Sequence, residues 1–180
     1  MDYRRSRAKD ASFFFTLVTE GRQGILCHRG NVVLLKEAAK YVMDRHPFSI
    51  DAYVLLPDHL HCIWTMPEDD SDYSSRWKGI KGYFSRKCDL KYKQPASASR
   101  TRKREQAIWQ RRFWEHQLRN EDDFSRHIEY IHYNPVKHGL VDAPFKWAHS
   151  SFHDYVEKGI FEKDWAASCG FSFSEGIGNE

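Results

Sequence analysis

Long apolar runs are missing from this chain of 180 residues. No stretch approaches the roughly 18 consecutive apolar residues that a membrane span requires. Residues 1–10 are polar and basic, without the apolar segment of a secretory signal. The four cysteines lie far apart and form no C-x-x-C pair, so neither a zinc ribbon nor a dithiol redox motif is indicated. These absences predict a cytoplasmic protein with reduced thiols and no membrane partner.

Net charge is also small, at +3, but it is unevenly distributed. Between Arg76 and Arg112, thirteen lysines and arginines stand against Asp89 and Glu105, an excess of eleven positive charges. A basic zone on a nearly neutral protein is typical of a protein that binds a polyanion such as nucleic acid. The alternative is a solvated basic face without a partner.

Seven segments have the periodicity of regular structure. In chain order they are a strand at 12–19, a helix at 31–45, strands at 50–56 and 60–66, a helix at 73–90, a strand at 107–118 and a helix at 123–133. The order β-α-β-β-α-β-α predicts a ferredoxin-like α+β fold, in which an antiparallel sheet carries helices on one face. We expect residues 1–140 to form the domain and residues 141–180 to form a C-terminal tail that packs on or near it.

Three local expectations accompany this assignment. Asn31 is predicted to cap the first helix, and Asn134-Pro135 to end the last one, which Asn120 or Asp122 would cap. The segment from Lys91 to Gln106 contains Pro, Ser and basic residues without apolar periodicity, so it is predicted to be a flexible loop.

His59 and His61 are two residues apart on the third predicted strand. Their side chains would leave the same face about 6.5 Å apart, so that two imidazoles could bind one cation. The competing interpretation is a partly exposed pair at the mouth of a hairpin. A structural zinc site with Cys62 or Cys27 is a further alternative, but the adjacent residues His61 and Cys62 point to opposite faces.

The last predicted helix carries a second pair of candidates. Tyr130 and Asn134 are one turn apart, on a different face from the apolar residues. A tyrosine hydroxyl can act as a nucleophile, and an amide oxygen can join a metal shell. The plainer interpretations are a tyrosine at the edge of an amphipathic helix and an asparagine that ends the helix before proline.

Three segments taken together resemble the REP-associated tyrosine transposases, the single-tyrosine branch of the HUH superfamily of single-strand DNA nucleases. They are PDHLHCIW (57–64), RFWEHQLRN (112–120) and HIEYIHYNPVKHGLV (127–141), with further similarity in FFFT and in SSRWKGIK (74–81). The resemblance implies that His59 and His61 bind the metal and that Tyr130 is the catalytic tyrosine. It also implies that Asn134 is a third ligand, at a position where many relatives have glutamine.

The activity implied by this resemblance is metal-dependent cleavage and strand transfer of single-stranded DNA through a 5′-phosphotyrosine, with Mg²⁺ or Mn²⁺ as the cofactor. The implied partner is a REP-type DNA hairpin with an adjacent single-stranded foot, bound by a monomer in preference to a dimer. The alternative function is a non-catalytic single-stranded nucleic-acid-binding module of ferredoxin-like fold, which would not require His59, His61 or Tyr130.

Basic and aromatic residues outside the site are predicted to bind the DNA. We expect contacts to the foot from Tyr3, Arg4 and Arg5, contacts to hairpin phosphates from a basic helix (Arg76, Lys78, Lys81, Arg86, Lys87), and further contacts from the loop (Arg100, Arg102, Lys103, Arg104). His127 is a candidate to assist the tyrosine. Core positions are favoured over DNA contacts for Trp109, Phe113 and Trp114.

Overall fold

A four-stranded antiparallel sheet forms the centre of the molecule, and its strands lie side by side in the order second, third, first and fourth along the chain. The structure, a computed structural model, describes residues 11–167. The strands are β1 (Ser12–Val18), β2 (Ser49–Leu55), β3 (His59–Thr65) and β4 (Trp114–Gln117). The helices are α1 (Arg29–Met43), α2 (Tyr73–Lys87), α3 (Ala98–Arg102), α4 (Glu121–Lys137) and α5 (Phe152–Glu157). The α+β fold class expected from the sequence is confirmed.

β1 lies inside the sheet because almost every residue of SFFFTLV is apolar or β-branched. Its side chains alternate between two cores. Phe13 and Phe15 join the core beneath α1 and α2, whereas Phe14 joins a second core beneath α4. Both faces of the strand are therefore buried, which fits a continuous apolar run.

α1 and α2 lie together on one face of the sheet, as expected. The indoles of Trp64 and Trp77 stack there with ring centroids 3.9 Å apart. The two helices approach closely at Gly79, where an added Cβ would lie 3.0 Å from a methyl group of Val42. A side chain at this position would force the helices apart.

α4 packs against the opposite face of the sheet, with Ile128 and Ile131 on Val54 and Ile63. Asn120 caps it, since its side chain accepts a hydrogen bond from the backbone amide of Asp123. The capping prediction at Asn120 is confirmed. Because β3 alternates between faces, His59 and His61 lie on the α4 side with Ile63.

Two predicted helix boundaries are wrong. His28 stands at the N-cap of α1, while the predicted cap, Asn31, lies within the first turn and donates its amide to the carbonyl of Ile25 (2.8 Å). α4 does not end at Asn134 but continues through Pro135 to Lys137. Pro135 lacks an N–H and so forfeits one helical hydrogen bond, but it is buried within the helix.

The segment from 91 to 106 is more regular than the predicted flexible loop. It includes α3, which Ser97 caps, and an isolated bridge between Gln94 and Ala107. Arg100 anchors it from within by an ion pair with Glu20. The predicted strand at 107–118 is regular only over β4, with an isolated bridge from Trp109 to Thr19.

Residues 147–151 of the stretch that follows α4 pack against β2. Within this stretch the backbone carbonyl of His149 accepts from the amide of Leu55 (2.8 Å), and the amide of Ser151 donates to the carbonyl of Tyr53 (3.0 Å). The indole of Trp147 also donates to the carbonyl of Leu55 (3.0 Å). Among residues 11–167, every helix is too short or too polar to cross a bilayer.

Candidate active site

The two histidines of β3 are buried side by side. His59 is 2% exposed and His61 is fully buried, and their ring centroids lie 5.0 Å apart. Nδ1 of His61 is 2.8 Å from the hydroxyl of Thr16, and Nδ1 of His59 is 2.6 Å from a carboxylate oxygen of Asp58. With an oxygen fixing Nδ1 of each ring, Nε2 is the atom that can face a cation, which is the usual arrangement around metal-binding histidines.

Asp58 is held in its charged form by its neighbours. Partial burial by itself would raise the pKa of this carboxyl, but the hydrogen bond and charge of His59 and of Arg22 bring the pKa below its ordinary value. Arg22 lies 3.0 Å from the carboxylate oxygen that His59 does not use. An ionised Asp58 can orient His59 and make it a stronger ligand.

Tyr130 faces the two histidines from α4. Its ring is 1% exposed, lies 5.4 Å from the ring of His61 and touches Phe14 at 6.0 Å, measured between centroids. Asn134, one turn further along α4, is fully buried. The structure therefore brings Tyr130 of α4 next to His61 of β3, with Asn134 on the same helix.

The donor set fits a divalent cation. Among residues 11–167, neither the amide nitrogen nor the amide oxygen of Asn134 has a hydrogen-bond partner, although both are buried. A buried polar group without a partner costs free energy, which an ion bound by its oxygen would recover. Two imidazoles and an amide oxygen suit Mn²⁺ better than Mg²⁺, which prefers oxygen ligands and water.

The cysteine-containing zinc alternative does not fit the structure. Cys62 packs in the core beneath α1 and α2, on the other face of the sheet from His61. Burial, and to a smaller extent the charge of Asp58, raises the pKa of Cys27 to about 11. The thiol of Cys27 donates instead to the carbonyl of Leu55 (3.5 Å). Neither thiol is placed or ionised as a zinc ligand requires.

Lys137 is a member of the site that the sequence analysis missed. Its Nζ donates a hydrogen bond to the hydroxyl of Tyr130 at 3.0 Å and lies 4.8 Å from the centre of the tyrosine ring. The two residues are seven positions apart on α4, which is about two turns, so they lie on the same face of the helix. That spacing was a usable signal, but a helix predicted to end at Pro135 cannot carry it.

His127, the residue proposed to assist the tyrosine, contacts other side chains. Its Nδ1 donates to the backbone carbonyl of Asp123 at 2.7 Å, and its ring stacks on that of His116 with centroids 5.0 Å apart. Burial lowers the pKa of His127 more strongly than the carbonyl and charge of Asp123 raise it. These contacts occupy Nδ1 of His127 and one face of its ring, and the role of the residue as a candidate helper of Tyr130 stays a prediction.

A basic cleft of about 780 Å³ lies between α2 and the segment that follows α3. Its cationic lining residues include Lys78, Lys81, Arg86, Lys103 and Arg104. Lys78, Arg86, Lys103 and Arg104 are exposed. Lys81 is half-buried and donates to the backbone carbonyl of Gln110 at 2.6 Å. The cleft thus collects most of the cations predicted for α2 and the loop.

Two of the residues predicted to contact phosphates, Arg76 and Arg100, are buried. Arg76 is 2% exposed, pairs with Asp70 at 2.6 Å and donates to the backbone carbonyls of residues 46, 47 and 72. Arg100 is 8% exposed and donates to Glu20 and to the carbonyls of residues 106 and 109. Both guanidinium groups therefore bind partners inside the protein, although Arg100 also lines the basic cleft.

The other residues named from the sequence differ in their burial and in whether the structure describes them. Lys87 and Arg102 are exposed, with Lys87 donating to the hydroxyl of Tyr83 at 2.6 Å. Trp109 is buried, while Phe113 and Trp114 are half-buried against the two cores, so their predicted core positions are confirmed. The predicted foot contacts, Tyr3, Arg4 and Arg5, lie outside the described residues.

Comparison with known proteins identifies the family. A family profile described as "Transposase IS200 like" matches residues 8–134. The REP-associated tyrosine transposase of Escherichia coli (strain K12) is 42% identical over 98% of both chains, and a relative from Haemophilus influenzae assigned to the same group is 38% identical over 93% of this chain and 94% of its own.

A solved structure gives the same result. It is the REP-associated tyrosine transposase bound to a REP hairpin, with a TM-score of 0.79, 41% identity and coverage of 98% of both chains. The sequence resemblance is confirmed by these matches, which extend over nearly the whole chain. The chain therefore belongs to the IS200-like transposases, a family of DNA-processing enzymes, and within them to the REP-associated tyrosine transposases.

Proposed function

We propose that this protein is a metal-dependent single-stranded DNA endonuclease and strand transferase that cleaves through a 5′-phosphotyrosine on Tyr130. The observation that carries the proposal is the meeting of two histidines and a tyrosine in one buried site. The ring of His61 lies 5.0 Å from that of His59 and 5.4 Å from that of Tyr130. A module that only binds nucleic acid has no need of this constellation.

His59, His61 and Asn134 would hold Mg²⁺ or Mn²⁺. When bound, the cation supplies polarisation of the scissile phosphate and neutralisation of the charge that develops on it. The protein fixes the ligands beforehand, because Thr16 and Asp58 hold the two rings from behind. Because these side chains are buried between β3 and α4, they are already ordered before the cation binds. Little side-chain freedom is therefore lost at each turnover.

Tyr130 would attack the phosphorus atom. The bond between its hydroxyl oxygen and phosphorus forms while the bond from phosphorus to the 3′-oxygen breaks; the tyrosine loses its proton and the 3′-oxygen takes one. The products are a 5′-phosphotyrosine and a free 3′-OH, which can reverse the step or be replaced by another 3′-OH. Lys137, which donates to the tyrosine hydroxyl, places positive charge beside the attacking oxygen.

The DNA partner would be a REP-type hairpin with a single-stranded foot. The similar structure, 41% identical over nearly the whole chain, contains a REP hairpin, which supports this choice of partner. The cations of the cleft beside α2 (Lys78, Lys81, Arg86, Lys103, Arg104) would neutralise hairpin phosphates, joined by Lys87 and Arg102 outside it. Tyr3, Arg4 and Arg5 would stack on the foot, and a monomer comprising the domain 1–140 and its tail would suffice for cleavage.

The test is transfer of label to the protein. Hairpin oligonucleotides carrying a foot are labelled on the 5′ or the 3′ side of the cut and incubated with the protein and Mn²⁺ or Mg²⁺. Only label on the 3′ side of the cut should become covalently attached, and peptide mapping should place it on Tyr130. EDTA, or the double change His59→Ala and His61→Ala, should abolish the adduct while the hairpin is still bound.

Hairpin binding without cleavage or adduct in either metal would reject the enzymatic proposal and favour the binding module. An adduct on another residue would retain the activity but reject the assignment of Tyr130. Light scattering of the complex separates a monomer from a dimer, since the two differ twofold in mass.

A further inference from the structure

A second group of potential metal ligands lies next to the proposed active site but takes no part in the proposed chemistry. His116 of β4 and Asp123 and His127 of α4 each offer one ligand atom, and the three atoms lie within 4.8 Å of one another. Nε2 of His116 is 3.0 Å from one carboxylate oxygen of Asp123, and Nδ1 of His127 is 3.2 Å from the other. The carboxylate thus joins a strand and a helix. Nδ1 of His127 also donates to the backbone carbonyl of Asp123 (2.7 Å), and it would give up that proton and hydrogen bond on binding an ion.

Neighbouring groups hold these three side chains. A carboxylate oxygen of Asp123 accepts from the backbone amide of Arg119 at 3.1 Å. The ring of His127 rests on Phe14, with centroids 4.9 Å apart, and the ring of His116 stacks on Trp114 at 5.9 Å. A cluster fixed from several sides loses little side-chain freedom when it binds an ion.

The cluster is buried on one side and open on the other. The side chain of His127 is 4% exposed, whereas those of His116 and Asp123 are 24% and 22% exposed. An ion can therefore enter from solvent and keep water or another ligand in an open position. Tetrahedral metal–ligand bonds of 2.0–2.1 Å would set the ligand atoms about 3.3 Å apart. Side-chain rotations that move the ligand atoms by about 1 Å would therefore close the site around an ion.

We propose that His116, Asp123 and His127 form a second metal site, which binds a transition-metal ion of the Zn²⁺ type. Two imidazoles and one carboxylate, with one position open, are a usual donor set for Zn²⁺ and its neighbours. Mg²⁺ is a poor match because it prefers an octahedron of oxygen atoms. The site differs from the proposed active centre in its ligands.

An ion here would clamp β4 to the first two turns of α4. The same helix carries Tyr130 one turn beyond His127, and Phe14 touches the rings of both. Occupancy would therefore stabilise the helix that presents the tyrosine, and it would raise the melting temperature of the protein because the folded state alone assembles the ligands.

The test removes the proposed active centre first. In a full chain carrying His59→Ala and His61→Ala, Co²⁺ is titrated as a spectroscopic probe of coordination and Zn²⁺ is then added in competition. We expect one equivalent of Co²⁺ with the visible absorption of an ordered nitrogen and oxygen site, its displacement by Zn²⁺, and a rise in melting temperature with Zn²⁺ but not with Mg²⁺.

Adding His116→Ala or Asp123→Asn to this background should weaken Co²⁺ binding by at least about tenfold and remove the Zn²⁺-dependent stabilisation. His46→Ala, an exposed histidine elsewhere, is the matched control and should change neither.

Circular dichroism in EDTA establishes whether each variant is folded. If Asp123→Asn does not fold, the test is made with His116→Ala, whose side chain is partly exposed. Equal Co²⁺ affinity in the parent and in His116→Ala, or no ordered Co²⁺ spectrum in the parent, would overturn the proposal. Neither result depends on DNA cleavage.

Discussion

The proposed active centre and the basic cleft are built on opposite principles. His59, His61, Tyr130 and Asn134 are each at most 2% exposed. The cations of the cleft, such as Lys78, are mostly exposed. Bond making requires atoms held to a fraction of an ångström, which buried side chains on a strand and a helix provide. Attraction to phosphates acts over about 10 Å at moderate salt and tolerates mobile side chains.

The contrast between the buried centre and the exposed cleft first predicts that two tyrosines of α4 differ in their effect on cleavage. Tyr130→Phe retains the buried ring and removes only the hydroxyl, so cleavage should fall by a factor on the order of 10⁴ or more while hairpin affinity stays unchanged. The measurement is single-turnover cleavage of a labelled hairpin together with its dissociation constant. Tyr133→Phe, the matched control, should cleave normally. A reversed pattern would show that Tyr133 is the nucleophile.

A second prediction separates a buried cation from an exposed one within α2. Arg76→Met would leave Asp70 and several backbone carbonyls without their donor, which should lower the free energy of unfolding by about 3 kcal/mol. Lys78→Met should change it by less than about 0.5 kcal/mol but weaken hairpin binding. Urea denaturation and binding titrations measure the two effects. If both variants are equally stable, Arg76 does not have the structural role assigned to it.

The third prediction concerns the carboxylate behind the active centre. Asp58→Asn keeps the shape of the side chain but removes the negative charge beside His59, so the Mn²⁺ concentration required for half-maximal cleavage should rise by about 10–100-fold. Asp44→Asn, on an exposed carboxylate after α1, is the control and should leave that concentration unchanged. Identical metal dependence in Asp58→Asn and the unmodified protein would mean that Asp58 does not orient a ligand.

The smallest expected effect is on the salt dependence of binding. Replacing Arg102, Lys103 and Arg104 by Ala should flatten the plot of log affinity against log salt by about 0.9 for each duplex phosphate that the protein no longer neutralises. Arg100 is left intact because it is buried. Discrimination between foot sequences should persist, and Lys158→Ala, on the C-terminal segment, should have no effect. An unchanged slope would remove this segment from the DNA interface.

Much of the fold and of the site could be predicted from the sequence because local periodicity determines which residues share a face. Alternation along β3 places His59 with His61, and helical spacing places Tyr130 with Asn134. The burial of Arg76 could not be read in this way, since its partners lie in a loop before α2 and in the turn that follows α1. Nor could the position of Lys137, because local rules end a helix before proline, whereas α4 continues through the buried Pro135 to Lys137.

The pairing of residues 149–151 with β2 protects an edge of the sheet. β2 is an outer strand, and its free backbone groups would otherwise be open to pairing with a strand of another chain. His149 and Ser151 occupy backbone groups of Leu55 and Tyr53 at that edge. We expect a chain shortened to residue 140 to expose these groups and to associate through this edge more readily than the full chain does.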